Sequence, residues 1–394
     1  MNIDTLRRTR RAILGAAVAA TLAACQVGVP GLGGGPAGSG GAGIASDGPT
    51  KVALLVPYGS GRGGDETVAR ALENAARLAA ADVRGAQIDL QVYPTGGNPA
   101  GAQSAAQQAV GAGAQVILGP LYADNAAAVG VTAAASGVPV LAFSNNSSIA
   151  GGNVWVLGNT FENTARRLLG FAARQGRNRV VVTHASSPAG QIARNAIAAV
   201  APATGAQLTG AVAYEFSQQG VVAAVPRVKA QVEATQANAV FLTSDSAGAL
   251  PIMAQLLPEA GVGGEAQRFL GLARWDVPAQ TLQLPGLQGG WFALPDPGPT
   301  AQFAARYRSS FGAAPHPLAG LAYDGVAAIG AIAASGRVVG RRALTQSQGF
   351  AGTSGAFRLL GDGTIERALA VAQVVDRTAR IVSPAPTRFG GFGS

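Results

Sequence analysis

The sequence predicts an α/β protein of two Rossmann-like lobes, each a parallel sheet flanked by helices, with an interlobe cleft. Three observations predict it. From residue 51 onward, short unbroken apolar runs such as Val52-Ala53-Leu54-Leu55-Val56 alternate with longer helix-compatible segments, as strands buried on both faces do. The alternation runs through twice, and strict β-α repetition gives parallel strands with helices on both faces. The 394 residues, 48% hydrophobic and 12% charged, suffice for two domains of ordinary size.

In the first lobe, 51–157, the strand at 52–56 is closed by Pro57 and followed by a helix at 66–81. A strand at 88–93 leads to a helix opened by Asn98-Pro99 that runs to 112. Strand 115–118, helix 123–136 and strands 138–143 and 154–157 complete it. The second lobe, 158–294, reads as helix 161–175, strand 179–183, helix 191–200, strand 208–214, helix 221–234, strand 239–243, helix 249–260 and strand 268–272. A strand at 288–293 precedes a helix at 302–311 and a nearly uncharged one at 318–334. That last segment is short and interrupted by Gly320, Gly325 and Gly330, so a buried core helix is expected and not a membrane span. Residues 355–375 read as a hairpin around Gly361-Asp362-Gly363. The late segments are expected to return to lobes already begun, 295–340 to the first and 355–380 to the second. The chain then crosses near 157, 294 and 341–354, and 381–394 is expected to be a disordered tail.

Residues 1–24 have the form of a lipoprotein signal peptide. Arg7, Arg8, Arg10 and Arg11 precede an uncharged 13-residue apolar run at 12–24, long enough for a signal core and too short for a bilayer. The run ends Leu22-Ala23-Ala24-Cys25, the pattern of a lipobox, and Cys25 is the only cysteine. Processing would leave 370 residues of net charge +6 with a lipid on Cys25. Thr9-Arg10-Arg11 ahead of Ile13-Leu14 also suits a twin-arginine signal, so both export routes stay open. Gln26 instead of Asp after the cysteine directs such lipoproteins to the outer membrane of a Gram-negative bacterium, on its periplasmic side. Residues 25–50 are expected to be a lipid-anchored flexible linker, Gly/Pro/Ser/Ala-rich with Asp47 its only charge. Its reach is about 25 Å.

Composition excludes several classes. The formal charge is +9, but 27 of the 29 basic residues are Arg, spread thinly, and aromatics are only 6%, so no nucleic-acid surface is expected. His184 and His316 are the only histidines, too few for a zinc cluster, and His316 sits between Pro315 and Pro317. His184 has Ser186 and Ser187 nearby but no G-x-S-x-G elbow. The S-x-x-K of penicillin-binding transpeptidases is absent, since Gly48 and Pro226 stand three residues before Lys51 and Lys229. Gly59-Ser60-Gly61-Arg62-Gly63-Gly64 fits G-x-G-x-x-G between a strand and a helix. However, the second strand ends Tyr93-Pro94-Thr95, without the acid that would bind a ribose. It reads as a glycine-rich rim loop. No enzyme, cofactor or metal is expected.

Open α/β sheets bind ligands outside the carboxyl ends of their strands. That rule nominates Tyr58 and Ser60 after the first strand, Tyr122 after the third, and Ser144 and Asn145 after the fourth. From the second lobe it nominates Ser186, Asp245 and Trp275.

Gly119-Pro120 after the third strand, the fourth-strand segment from Val138 to Asn145, Tyr323-Asp324 in a late helix and the closing hairpin from Gly355 to Gly363 carry a resemblance. Over about residues 51–375 the chain resembles a type I periplasmic binding protein of the leucine-binding kind. With the lipobox, Phe143-Ser144-Asn145-Asn146 and Val154-Trp155-Val156-Leu157-Gly158, it is most similar to the penicillin-binding-protein activator lipoproteins. That resemblance implies a non-catalytic outer-membrane lipoprotein that contacts and activates a peptidoglycan synthase. The other reading is a lipid-anchored solute-binding receptor that delivers an amino-acid-like or other small polar ligand to an ABC permease. Amino-acid binders of this kind use small hydroxyl residues after the third strand for the α-carboxylate. Here Gly119-Pro120-Leu121 offers no hydroxyl and Pro120 no N–H.

Overall fold

The computed structural model describes residues 48–389. The signal peptide, Cys25, most of the linker and residues 390–394 lie outside the described residues. The first lobe begins with β1 (Thr50–Val56), α1 (Asp65–Asp82), β2 (Ile88–Pro94), α2 (Pro99–Gly111), β3 (Val116–Leu118), α3 (Ala123–Ala134), β4 (Val140–Ala142) and β5 (Val154–Val156). Its strands are parallel, in the order β2-β1-β3-β4-β5. The unbroken apolar run of β1 has a physical reason. Val52, Leu54 and Val56 enter one core layer with Leu72 and Ile329, while Ala53 and Leu55 enter the opposite layer with Ala105 and Val129.

The second lobe holds α4 (Phe161–Arg174), β6 (Arg179–Ala185), α5 (Pro188–Val200), β7 (Gln207–Tyr214), α6 (Gln218–Thr235), β8 (Ala239–Leu242), α7 (Leu250–Glu259), β9 (Arg268–Gly271) and β10 (Trp291–Pro295). Helices α8 (Pro297–Phe311), α9 (Ala319–Ala334) and α10 (Arg341–Leu344) return to the first lobe, as Tyr307, Ile329 and Leu344 in its core show. The hairpin β11 (Phe357–Leu359) and β12 (Ile365–Arg367) follows, then β13 (Leu369–Val375) and β14 (Thr378–Ser383). The second sheet runs β14-β13-β10-β9-β8-β6-β7, and its last two strands in sequence, β13 and β14, are antiparallel additions at one edge.

Helices α5, α6 and α8 start earlier than apolar periodicity suggests, because side chains cap them. Ser187, Ser217 and Asp296 accept from the N–H groups of Gly190, Gly220 and Gly298. The uncharged late segment is the core helix α9, and no helix among the described residues is long and apolar enough to cross a membrane. Its glycines are needed for close packing. A Cβ on Gly325 would strike Leu118, and one on Gly330 would strike Val83.

Three expectations at the C-terminal end differ from the structure. The segment 355–380 was expected on the second lobe, yet it divides. Phe357, Leu359 and Ile365 share one face of the hairpin and enter the first lobe's core. Trp155 Nε1 donates to the Leu360 carbonyl at 3.0 Å, and the Val156 N–H donates to the Gly363 carbonyl at 3.0 Å, docking the turn beside β5. The third crossing, expected at 341–354, therefore falls between Arg367 and Leu369, because the hairpin in between still packs on the first lobe. A disordered tail was expected from 381, but residues 381–389 are ordered: β14 extends to Ser383, and Phe389 is buried in the second lobe's core.

Two tyrosines make stability pH-dependent at the alkaline end. The Tyr58 hydroxyl donates to Glu73 at 2.8 Å and that of Tyr323 to Asp82 at 2.6 Å. Burial first, then these bonds to carboxylates, pushes both up to about 12 from 10.0. A folded-state value raised above the unfolded one gives stability that is complete below the unfolded value and lost as pH rises through the folded one. Stability should thus decline between about pH 10 and about pH 12. Urea titrations across that window should show a shallower decline for Tyr58→Phe/Tyr323→Phe, and an unchanged slope would refute this origin.

Candidate functional site

The carboxyl ends of both sheets open on one cleft. Its larger cavity, about 670 Å³, is walled by Leu121, Phe143 and Ser144 from the first lobe and by Leu272, Arg274 and Ala293 from the second. A smaller one of about 390 Å³ extends along the second lobe past Ala185, Tyr214, Thr243 and Asp245. Asn145 and Asn146 line both cavities.

Of the eight nominated residues, four line this cleft. Tyr122 and Ser144 face the larger cavity, Asp245 the smaller, and Asn145 both. The Tyr122 hydroxyl is engaged by Asp65 at 2.5 Å, and burial together with that bond pushes its pKa up. Ser144 Oγ accepts from the Asn146 N–H at 3.1 Å, which fixes the turn bearing both asparagines.

The other four line neither cavity. Tyr58 is held by Glu73 against the first lobe's core, and Ser60 Oγ accepts from the Arg62 N–H. Ser186 uses its backbone, donating to the Tyr214 carbonyl, and its neighbour Ser187 reaches the smaller cavity instead. Trp275 is 0% exposed, packed on Phe292 with its indole over Gly271 and Gly290, where any Cβ would strike it. The turn after β9 points this apolar ring into the core and leaves Arg274 on the cleft wall.

The glycine-rich loop is not a phosphate cradle. Gly59, Gly61 and Gly64 have φ of 76°, 70° and 90°, which explains glycine at those positions. The Gly59 N–H is taken by Glu66 Oε1 at 2.8 Å, and Asp65 and Glu66 supply the negative charge at the α1 N-terminus.

Sequence reasoning missed a buried junction at the base of the cleft. Arg367, on the third crossing, donates through Nε and Nη2 to the Leu157 carbonyl of the first crossing, at 3.0 and 2.8 Å. Its Nη1 reaches Asp324 Oδ2 at 2.8 Å and Ser354 Oγ at 3.2 Å. The Ser354 carbonyl in turn accepts from the Asp296 N–H of the second crossing. The first and third interlobe connections thus meet at one guanidinium, and the second joins them through Ser354. The sequence signal for it was limited to Tyr323-Asp324. Glu162, Arg274, Asn146 and Tyr214 were also missed, although each lies at a strand's carboxyl end or a helix start.

A family model described as periplasmic binding protein matches residues 49–379. No curated protein matches the chain. Among solved structures, one named as a branched-chain amino acid ABC transporter from Rhodospirillum rubrum is 18% identical with a TM-score of 0.70, covering 85% of this chain and 100% of that one. An ABC transporter substrate-binding protein from Desulfitobacterium hafniense in complex with Leu is 17% identical, TM-score 0.60, covering 85% and 100%. A solute binding protein of an ABC transporter from Rhodopseudomonas palustris BisB5, in complex with 3,4-dihydroxy benzoic acid, is 19% identical, TM-score 0.55, covering 86% and 97%. At these identities the likeness is one of fold.

Proposed function

Because this chain belongs to the periplasmic binding protein family, we propose that it is the solute-binding receptor of an ABC transporter and takes a small, amine-bearing ligand in its interlobe cleft. It is a periplasmic binding protein and not an enzyme. The observation that carries the ligand class is the smaller cavity. Asp245 and Glu162 stand among its lining residues with no Arg or Lys, and Glu162 Oε1 accepts from Ser147 Oγ at 2.9 Å. Glu162 is half-buried and Asp245 exposed on the cleft wall, and carboxylates without a counter-charge among the lining residues favour a cation. Two of the structures with this fold carry small ligands, leucine in one and a dihydroxy benzoic acid in the other.

The synthase-activator reading has short segments, Gln26 and the loop Gly119-Pro120-Leu121 in its favour; Gln26 concerns address and not ligand, and the family match and the ligand-carrying structures of the same fold support the receptor instead. The anchor is part of the proposal: a lipid on Cys25, with 27–49 tethering the two lobes to the outer membrane. So is the division of the chain into lobes at the three crossings.

The test is a thermal-shift screen of the full chain against amino acids, small amines and aromatic acids at millimolar concentration. A true ligand at 100 times its Kd stabilises the folded state by about 2.7 kcal/mol. For an amine-bearing hit, Asp245→Asn should weaken binding about tenfold, near 1.4 kcal/mol. Absence of any shift, together with a rate increase when the protein is added to a peptidoglycan synthase, would reverse the choice.

A further inference from the structure

We propose that Arg274 reads the ligand's carboxylate, so that anion recognition sits on the second lobe's wall and not at the loop after β3. The proposal rests on the receptor reading and adds an acidic half to the amine-bearing ligand that reading names.

Among the described residues lining the two cavities, Arg274 and Arg367 are the only cations. They differ in what is left to give. Arg367 spends its guanidinium on Asp324, Ser354 and the Leu157 carbonyl, and it is 6% exposed. Arg274 is half-exposed on the wall of the larger cavity. It is held by Asp276 on one edge only, Nε to Oδ1 at 2.9 Å and Nη2 to Oδ2 at 2.5 Å. A two-point brace fixes the plane of a guanidinium. It leaves Nη1, which has no hydrogen-bond partner among the described residues, directed by a rigid frame instead of a free side chain. A carboxylate donated to by Nη1 would need no rearrangement of that frame, so little rotamer entropy is lost on binding.

Among the described residues, the opposite wall is poor in donors and carries no cation free to pair with an anion. The loop after β3 is Gly119-Pro120-Leu121, without a hydroxyl, and the Gly119 N–H already donates to the Leu141 carbonyl at 2.8 Å. Ser144 Oγ accepts a backbone bond and keeps only its own hydroxyl proton to give, and the Tyr122 hydroxyl is committed to Asp65. Apart from the mutually paired Asp324 and Arg367, the charged groups of the cleft lie in different cavities, Arg274 in the larger and Asp245 and Glu162 in the smaller. Asn145 and Asn146 stand between them. One molecule carrying an ammonium and a carboxylate would lie across those asparagines.

The experiment compares free proteinogenic amino acids with their primary amides, L-leucine with L-leucinamide among them, by isothermal titration of the full chain. The amides keep the ammonium and lose the carboxylate. The wild type should prefer acids over amides at least tenfold. Arg274→Gln, whose amide can still reach Asp276, should lose that preference by weakening the acids alone, with an unchanged melting temperature in the absence of ligand. Amides that bind as tightly as acids, or an acid preference that survives Arg274→Gln, would overturn the assignment while leaving the receptor standing. Failure of both series to bind removes the amino-acid-like receptor reading itself, and this inference with it.

Discussion

Asp324→Asn should destabilise the folded protein by about 3–5 kcal/mol, the cost of leaving one member of a buried ion pair without its partner. Asp324 is 1% exposed and Arg367 6%, so solvent screens the remaining charge only weakly. The new amide would also present N–H groups to Nη1 of Arg367, a donor facing a donor, if its oxygen keeps the bond from the Thr353 N–H now made at 2.6 Å. Size is not the issue, since Asn and Asp have nearly the same shape. Replacing both partners with apolar residues tests this directly. Asp324→Leu/Arg367→Met should lose less than the sum of its single changes, because the uncompensated charge is gone in the double variant. The Leu157 carbonyl would still lose its two donors, so recovery should be incomplete. Urea midpoints at constant m-value give the cycle, and strict additivity would rule out the pair as the source.

Gly119→Ala should cost about 3 kcal/mol, combining a left-handed backbone penalty of about 1–2 kcal/mol with overpacking of about 1–3 kcal/mol. The position has φ +94°, and an added Cβ would overlap the Leu55 carbonyl oxygen and press on Phe143 at 3.1 Å. Gly61 separates the two terms. Its φ is +70°, but nothing lies within 4 Å of where its Cβ would stand. Gly61→Ala should therefore cost only the backbone term, about 1–2 kcal/mol. Equal losses in the two variants, measured by the same urea melts, would mean that crowding at the β3 loop contributes nothing. Because Phe143 lines the larger cavity, Gly119→Ala should also disturb the first-lobe wall of the cleft.

Much of the fold was legible because its determinants are local. A strand buried on both faces has to be apolar at successive positions, as β1 and β8 are, and that run is visible without knowing its neighbours. The early starts of α5 and α8 were legible too, in Ser187-Pro188 and Asp296-Pro297, where a capping side chain precedes a proline at the first helical position. Apolar periodicity alone placed those starts too late, because the first turn of each helix contributes little to the core.

The site was legible by position and not by side chain. The rule that ligands gather at the carboxyl ends of strands led to the right loops. Within a loop, however, the direction of each side chain depends on packing. After β9 the adjacent residues Arg274 and Trp275 compete for the same turn, and the indole takes the core because it carries the larger apolar surface. An aromatic residue nominated for the cleft thus became a core residue, and the guanidinium beside it took the wall.

By itself, then, the sequence determined the two β-α runs, the helix start at Asn98-Pro99, the lack of metal-binding and nucleophile motifs, and the family resemblance, all of which follow from neighbours in the chain. The tertiary structure decided where the hairpin β11–β12 docks, which loop residues face the cleft, and how the crossings are joined. Leu157 and Arg367 are 210 positions apart, and Asp324 is 43 positions from Arg367. No local pattern marks such partners. A buried charge finds its counter-charge and its carbonyl only once packing has removed the water that would otherwise have served both.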